Sequence, residues 1–247
     1  MPDPLWYFVH IPKTAGTTVR HYLHTSFAPD EVLFVYPGAI APADAHRLPI
    51  EQVLAMPPAA IARYRVLYGH FLFKPDWLIH ERVRGLAFVR DPAARVVSWF
   101  HYHTTLEPEG CTPRQRAHVE QIRSGIGFAE LYRSAGGILE LDNGIVRYLS
   151  CAGGDPVGSI GSTHLARAIH HVERHFDFVG HAAHFERSMA EIGRILGRPY
   201  RTQGRKNASP SGPAEDLLAQ HSAAFLEELT SVDRAFVEWV EQRWFRG

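Results

Sequence analysis

The stretch His10-Ile-Pro-Lys-Thr-Ala-Gly-Thr-Thr18 joins two segments of opposite character. Before it, Leu5-Trp-Tyr-Phe-Val9 is short, aromatic and ends on a β-branched residue, which is the composition of a buried strand. After it, Val19, Tyr22 and Leu23 recur at the spacing of one helical face. A strand that passes through a small-residue loop into a helix start predicts an anion site. Unsatisfied backbone N–H groups and the positive end of the helix dipole converge there. Lys13 adds a point charge to that spot. Thr17 and Thr18 stand where they could cap the helix or offer hydroxyls to phosphate oxygens.

The nucleoside-triphosphatase loop G-x-x-x-x-G-K-S/T places its lysine after the last glycine. Here Lys13 precedes Gly16 and no glycine opens the loop. The stretch therefore has phosphate-loop logic without that pattern. Farther along, Glu31–Tyr36, Arg65–His70, Gly85–Val89 and Asp177–His181 also read as strands. Helical patterns lie between them, so the alternation predicts an α/β fold with a mostly parallel sheet. Ala39–Ala60 reads as loop with short helices at Ile50–Ala55 and Pro58–Arg63. Helices are further expected over Pro113–Ser124, Phe128–Ser134, Thr163–His175 and Phe185–Leu196. Two closing helices, Pro213–Glu228 and Ser231–Phe245, carry a periodic apolar set.

Open parallel sheets carry their chemistry at the carboxyl ends of strands. His70 arrives at such an end, where a histidine serves either as a satisfied structural residue or as a base. Arg90 ends another strand, and Asp91-Pro92 then mark a helix start as N-cap and first helical residue. Ser98 falls about two turns into that helix. Arg95 is expected to face Asp91 across one turn as an exposed ion pair.

These segments together resemble the sulfotransferases that use 3′-phosphoadenosine 5′-phosphosulfate (PAPS). Pro12–Thr18 is similar to that family's 5′-phosphosulfate loop. With its leading His10-Ile11 it most resembles the branch containing heparan sulfate 2-O-sulfotransferase and other carbohydrate sulfotransferases. Arg90-Asp-Pro-Ala-Ala-Arg-Val-Val-Ser98 resembles the family's 3′-phosphate motif, and Tyr68-Gly-His-Phe71 its Gly-His pair. Asp142-Asn143 with Arg147 and Leu149 resembles its D-N-x-x-x-R-x-L segment. Arg205-Lys206-Asn207 resembles the late loop folded over the cofactor, or is a solvated linker.

The resemblance implies one P-loop-like domain over residues 1–247, a mostly parallel sheet flanked by helices with a helical C-terminal part. It also implies transfer of a sulfuryl group from PAPS to a hydroxyl acceptor on a small molecule or glycan, leaving adenosine 3′,5′-bisphosphate. Lys13, Thr14, Ala15, Gly16, Thr17 and Thr18 would hold the 5′ end of the donor. Arg90 and Ser98 would hold the 3′-phosphate, with Arg205, Lys206 and Asn207 above it. His70 would act as base beside Lys13. Asn143 and Arg147 either line the cleft or brace neighbouring backbone. Should His70 fail as base, Glu107, His101 and His103 are the next candidates. Two rivals are a P-loop-type nucleotide or small-molecule kinase and a non-catalytic nucleotide-binding module on the same fold.

Totals bound the remaining classes. The 26 basic and 26 acidic residues cancel, which argues against a broad nucleic-acid surface. No stretch reaches the ~18–20 apolar residues of a membrane span. No signal-peptide layout opens the chain, so a cytoplasmic protein is expected. Cys111 and Cys151 have no metal or redox spacing, and a bridge between them is left open. The 16 histidines form no ligand spacing, so no metal is expected.

Overall fold

In the computed structural model, residues 4–35, 47–48, 50–61, 63–70, 83–134, 137–201 and 223–246 are described. The loop Arg205–Asn207 lies outside them, as do Phe71 and most of the Ala39–Pro49 segment. Six strands form one sheet: β1 (Leu5–Val9), β2 (Val32–Val35), β3 (Arg47–Leu48), β4 (Val66–Gly69), β5 (Val83–Val89) and β6 (Phe176–His181). Their order is β3-β2-β4-β1-β5-β6 and every pairing is parallel. The apolar run of β1 is buried along its whole length because a parallel sheet is covered on both faces. β3 is an addition to the sequence reading. At two residues it is too short to show a pattern.

The helices are α1 (Gly16–Ser26), α2 (Ile50–Ala55), α3 (Pro58–Ile61), α4 (Pro92–Thr105), α5 (Pro113–Arg123), α6 (Phe128–Ser134), α7 (Gly144–Leu149), α8 (Ser162–His175), α9 (Phe185–Ile195) and α10 (Ala223–Trp244). α10 corrects the expectation of two closing helices. It runs unbroken from Ala223 through the expected gap at 229–230. No glycine or proline interrupts that gap, and the Thr230 hydroxyl donates to Leu226 O at 2.6 Å, within the helix. The long helix bridges two cores. Phe225, Leu226 and Leu229 pack with Val96, Trp99, Phe128 and Leu131, while Phe236, Val237 and Val240 join the core built on the sheet.

Topology then selects a place. β1 leads through α1 to β2 on one side, and β5 lies on its other side. The crevice at such a reversal, outside the carboxyl ends, is where open α/β sheets bind ligands. Val9 is level with Gly69 on β4 and Ala87 on β5, so the segments after these strands leave the sheet along one edge.

Candidate functional site: the carboxyl edge of the central strands

The loop after β1 is held from several directions. The His10 N–H donates to Gly69 O at 2.9 Å, and the Tyr68 hydroxyl donates to Gly16 O at 2.7 Å. Lys13 and Ala15 both sit in the left-handed region, at φ 69 and 75. For side-chain-bearing residues that geometry costs ~1–3 kcal/mol each and persists only where surroundings enforce it. Left-handed residues alternating through a turn can gather consecutive N–H groups into an anion-binding concavity. Ala15 is the N-cap of α1 and makes no side-chain cap. Thr17 and Thr18 thus lie inside the first turn, which corrects their reading as caps; Thr17 is exposed. Thr14 is fully buried, and its hydroxyl donates to Ile11 O at 2.8 Å. It braces the loop with its side chain. Gly16 is required by close approach: a Cβ there would lie 1.5 Å from His10 Nε2.

His70 leaves the end of β4 beside this loop. Its Nδ1 lies 2.9 Å from His10 O. A carbonyl only accepts, so Nδ1 carries the hydrogen and Nε2 keeps a lone pair in the neutral ring. The His70 ring stacks on His10 at 4.0 Å, and His10 stacks on Tyr68 at 4.9 Å. Burial pulls the His70 pKa down to about 4. Glu140 and the bond to His10 pull it back up, while Arg20 and Lys13 push it lower. His10 is held well below the ordinary histidine range by burial, then by His70, Arg20 and Lys13.

The cations complete the edge. Burial, with Arg90 as the second cause, lowers the Lys13 ammonium to about 8. Burial also lowers Arg90, against the upward pull of Asp91. Asp91 uses its carboxylate to cap α4, accepting the Ala94 N–H at 2.7 Å, with Pro92 next, as the sequence predicts. Ser98 is half-buried on α4. One turn beyond it, the Tyr102 ring carries Lys13 Nζ at 4.0 Å from its centroid. The sequence reading gave Tyr102 no role, although its spacing from Ser98 puts both on one face of the helix. Lys13, the loop to Thr18, His70, Arg90 and Ser98 therefore belong to one edge.

Two of the three alternative bases are engaged elsewhere. Glu107 is exposed and pairs with Arg123 at 3.0 Å. His103 is buried, stacks on Trp99 at 3.8 Å and puts Nδ1 2.9 Å from Trp99 O. Burial lowers it to about 4. His101 is half-buried on α4.

Three readings away from the edge change or resolve. Arg95 is not an exposed partner of Asp91. It is fully buried, donates to Glu140 O at 2.8 Å and faces Asp233 at 3.5 Å. Its guanidinium occupies the space over Gly144, where a Cβ would meet Nη2 at 2.8 Å. Asn143 and Arg147 brace backbone. Asn143 Oδ1 accepts the N–H groups of Val232 and Asp233 at 2.9 and 3.1 Å. Arg147 pairs with Asp142 and donates to the carbonyls of Ala152 and Asp155 at 2.7 Å.

Among the described residues, one group could surround a metal: His181, His184 and Glu241. His181 Nδ1 accepts the Ala183 N–H at 3.0 Å, which places the neutral ring's hydrogen on Nε2, toward Glu241 at 3.8 Å. In that tautomer the ring has no lone pair left for an ion. Glu241 also accepts from Arg246 at 2.7 Å.

No protein-family model and no curated protein matches the sequence. Among solved structures, the chain is similar to the mouse sulfotransferase SULT7A1 complexed with PAP. That match has 14% identity and a TM-score of 0.42, and covers 100% of this chain and 86% of the other. It is also similar to a sulfotransferase from Alicyclobacillus acidocaldarius, at 16% identity and a TM-score of 0.42. Coverage there is 100% of this chain and 98% of the other.

Proposed function

We propose that this chain is a sulfotransferase that moves a sulfuryl group from PAPS to a hydroxyl acceptor, a sugar hydroxyl being the class its loop resemblance implies. The observation that carries the reading is the pairing of two half-buried cations, Lys13 and Arg90, each lowered mainly by burial, with Arg90 also acting on Lys13. Like charges held together in a partly desolvated cleft are unfavourable until an anion joins them. A donor with charge at both its 5′ and 3′ ends fits this set. PAPS supplies an activated sulfuryl group whose release leaves negative charge on a phosphate oxygen.

The residues of this chain then divide the work. Lys13 and the N–H groups at the start of α1 stabilise the charge that grows on the leaving oxygen. Arg90 and Ser98 anchor the 3′-phosphate, so that binding remote from the sulfur orients it. His70 takes the acceptor proton at Nε2, because its other nitrogen is committed to His10 O. An anionic donor beside His70 offsets the pull of Lys13 and Arg20 and raises the ring's proton affinity toward its ordinary range. The base is therefore better in the ternary complex than in the free protein.

A screen of sugar, phenol and steroid hydroxyls with radiolabelled PAPS tests the assignment. Label transfer to a sugar acceptor that is lost in His70→Ala supports it. Transfer to none of the acceptors, together with phosphorylation from labelled ATP, would replace it with a kinase.

A further inference from the structure

Tyr102 is the one large apolar side chain exposed among the described residues, at 37% relative exposure, and it lies at the carboxyl edge. Its ring carries the Lys13 ammonium at 4.0 Å from the centroid and meets the His103 ring edge-on at 5.5 Å. The ammonium of Lys13 is brought there by a left-handed backbone at φ 69. Tyr102 stands four residues after Ser98 on α4, so both project from one helical face. That face thus meets the loop of β1 as well as the expected 3′-phosphate position.

We propose that Tyr102 is a positioning residue for Lys13, holding the ammonium at the mouth of the loop so that α4 organises both charged ends of the donor site. This rests on the donor assignment for its purpose, but the Lys13–Tyr102 coupling exists in the donor-free protein. An aromatic face favours the charged form of lysine. It opposes what disfavours that charge, burial first and then Arg90 after β5. Lys13 in turn helps keep His10 on the β1–α1 segment, His70 after β4 and His103 on α4 neutral, and Arg20 does the same to His10 and His70. Glu140, before α7, faces His70 and His103 and pulls the other way. Removal of the ring leaves burial and Arg90 to act on Lys13 without the aromatic face that opposes them.

The chain is well suited to a direct test, since it has three lysines, Lys13, Lys74 and Lys206. With 13C-labelled lysine, the Lys13 ε-methylene signal is identified by its loss in Lys13→Arg. In the donor-free full chain it should lie upfield from the ring current of Tyr102 and titrate near 8. Tyr102→Leu should abolish the upfield shift and move the midpoint about half to one pH unit lower, the size expected for loss of one cation–π contact. Tyr102→Phe should restore both. An unchanged shift and midpoint in Tyr102→Leu would overturn the inference. Adenosine 3′,5′-bisphosphate is then added as probe. A rise in the Lys13 midpoint on binding supports the positioning role. If the probe leaves every lysine signal in place, the purpose given to the contact is overturned together with the donor assignment, even where the coupling itself is seen.

Discussion

Arg90 and Arg95 stand five residues apart in one motif and meet opposite fates. Arg90 lies half-buried at the carboxyl edge, where it disfavours the Lys13 charge while Asp91 offsets part of its own burial. Arg95, fully buried, is answered by Asp233, by Glu140 O and by the packing of α7. Asp233 in turn accepts the Ile145 and Val146 N–H groups at 3.0 and 2.8 Å, capping α7 from α10. Burial still pushes the Asp233 carboxyl up to about 6, against the pull of Arg95 and those two amides. That network ties α4, α7 and α10 together, and the desolvation of its charges offsets much of what their attraction contributes. At the edge, the two cations stay disfavoured mainly by burial, with Arg90 acting on Lys13 and Asp91 offsetting only part of the cost for Arg90. The same residue type is structural at Arg95, and at Arg90 it is the one proposed to meet the donor.

His70→Ala should lower kcat by about 10²–10⁴, the usual cost of a positioned base. Affinity for adenosine 3′,5′-bisphosphate should hold, because the phosphate contacts come from other segments. The pH profile of kcat/KM, which reports the free protein, should fall on the acid side only near pH 4, as His70 gains its proton, and on the alkaline side near pH 8, as Lys13 loses its own. The acid limb of kcat should lie higher than that of kcat/KM, since the bound donor raises His70. A limb of kcat/KM near 6.5 would show that the ring is not desolvated as described.

On the paired side, Arg147→Ala should cost about 3–5 kcal/mol of stability, because Asp142 is left buried and unpaired. Urea unfolding measures this. Loss of turnover by a fully stable Arg147→Ala protein would instead put that arginine in the cleft. Back at the edge, Lys13→Ala should reduce kcat about 10²–10³-fold at saturating donor, the cost of one lost charge-stabilising group. Its thermal midpoint should stay close to that of the parent. Destabilisation without loss of rate would reverse the contrast between the two regions.

Much of the edge was legible because its signals are local. A strand, a loop and a helix start follow one another within residues 5–26, and Asp91-Pro92 mark their helix by themselves. What escaped depends on partners far along the chain. Arg95 looks like the mate of Asp91 at one turn, yet its carboxylate partner is Asp233, 138 positions away. Asn143 and Arg147 carried two readings because only the fold shows that α10 and the 152–156 backbone close over them. His10 stood first in the deciding stretch without a role. Its use as a plate between Tyr68 and His70 needs the register of β1 against β4, which no single strand reveals.

The claim that Lys13 and Arg90 belong to a donor site is tested most directly by calorimetry. Adenosine 3′,5′-bisphosphate is compared with 5′-AMP on the full chain at neutral pH. Charge-assisted bonds to the 3′-phosphate are worth about 1.5–3 kcal/mol. The account therefore predicts that the bisphosphate binds about ten- to 150-fold more tightly. Equal affinities would contradict it, leaving Arg90 and Ser98 as ordinary residues at the start of a helix.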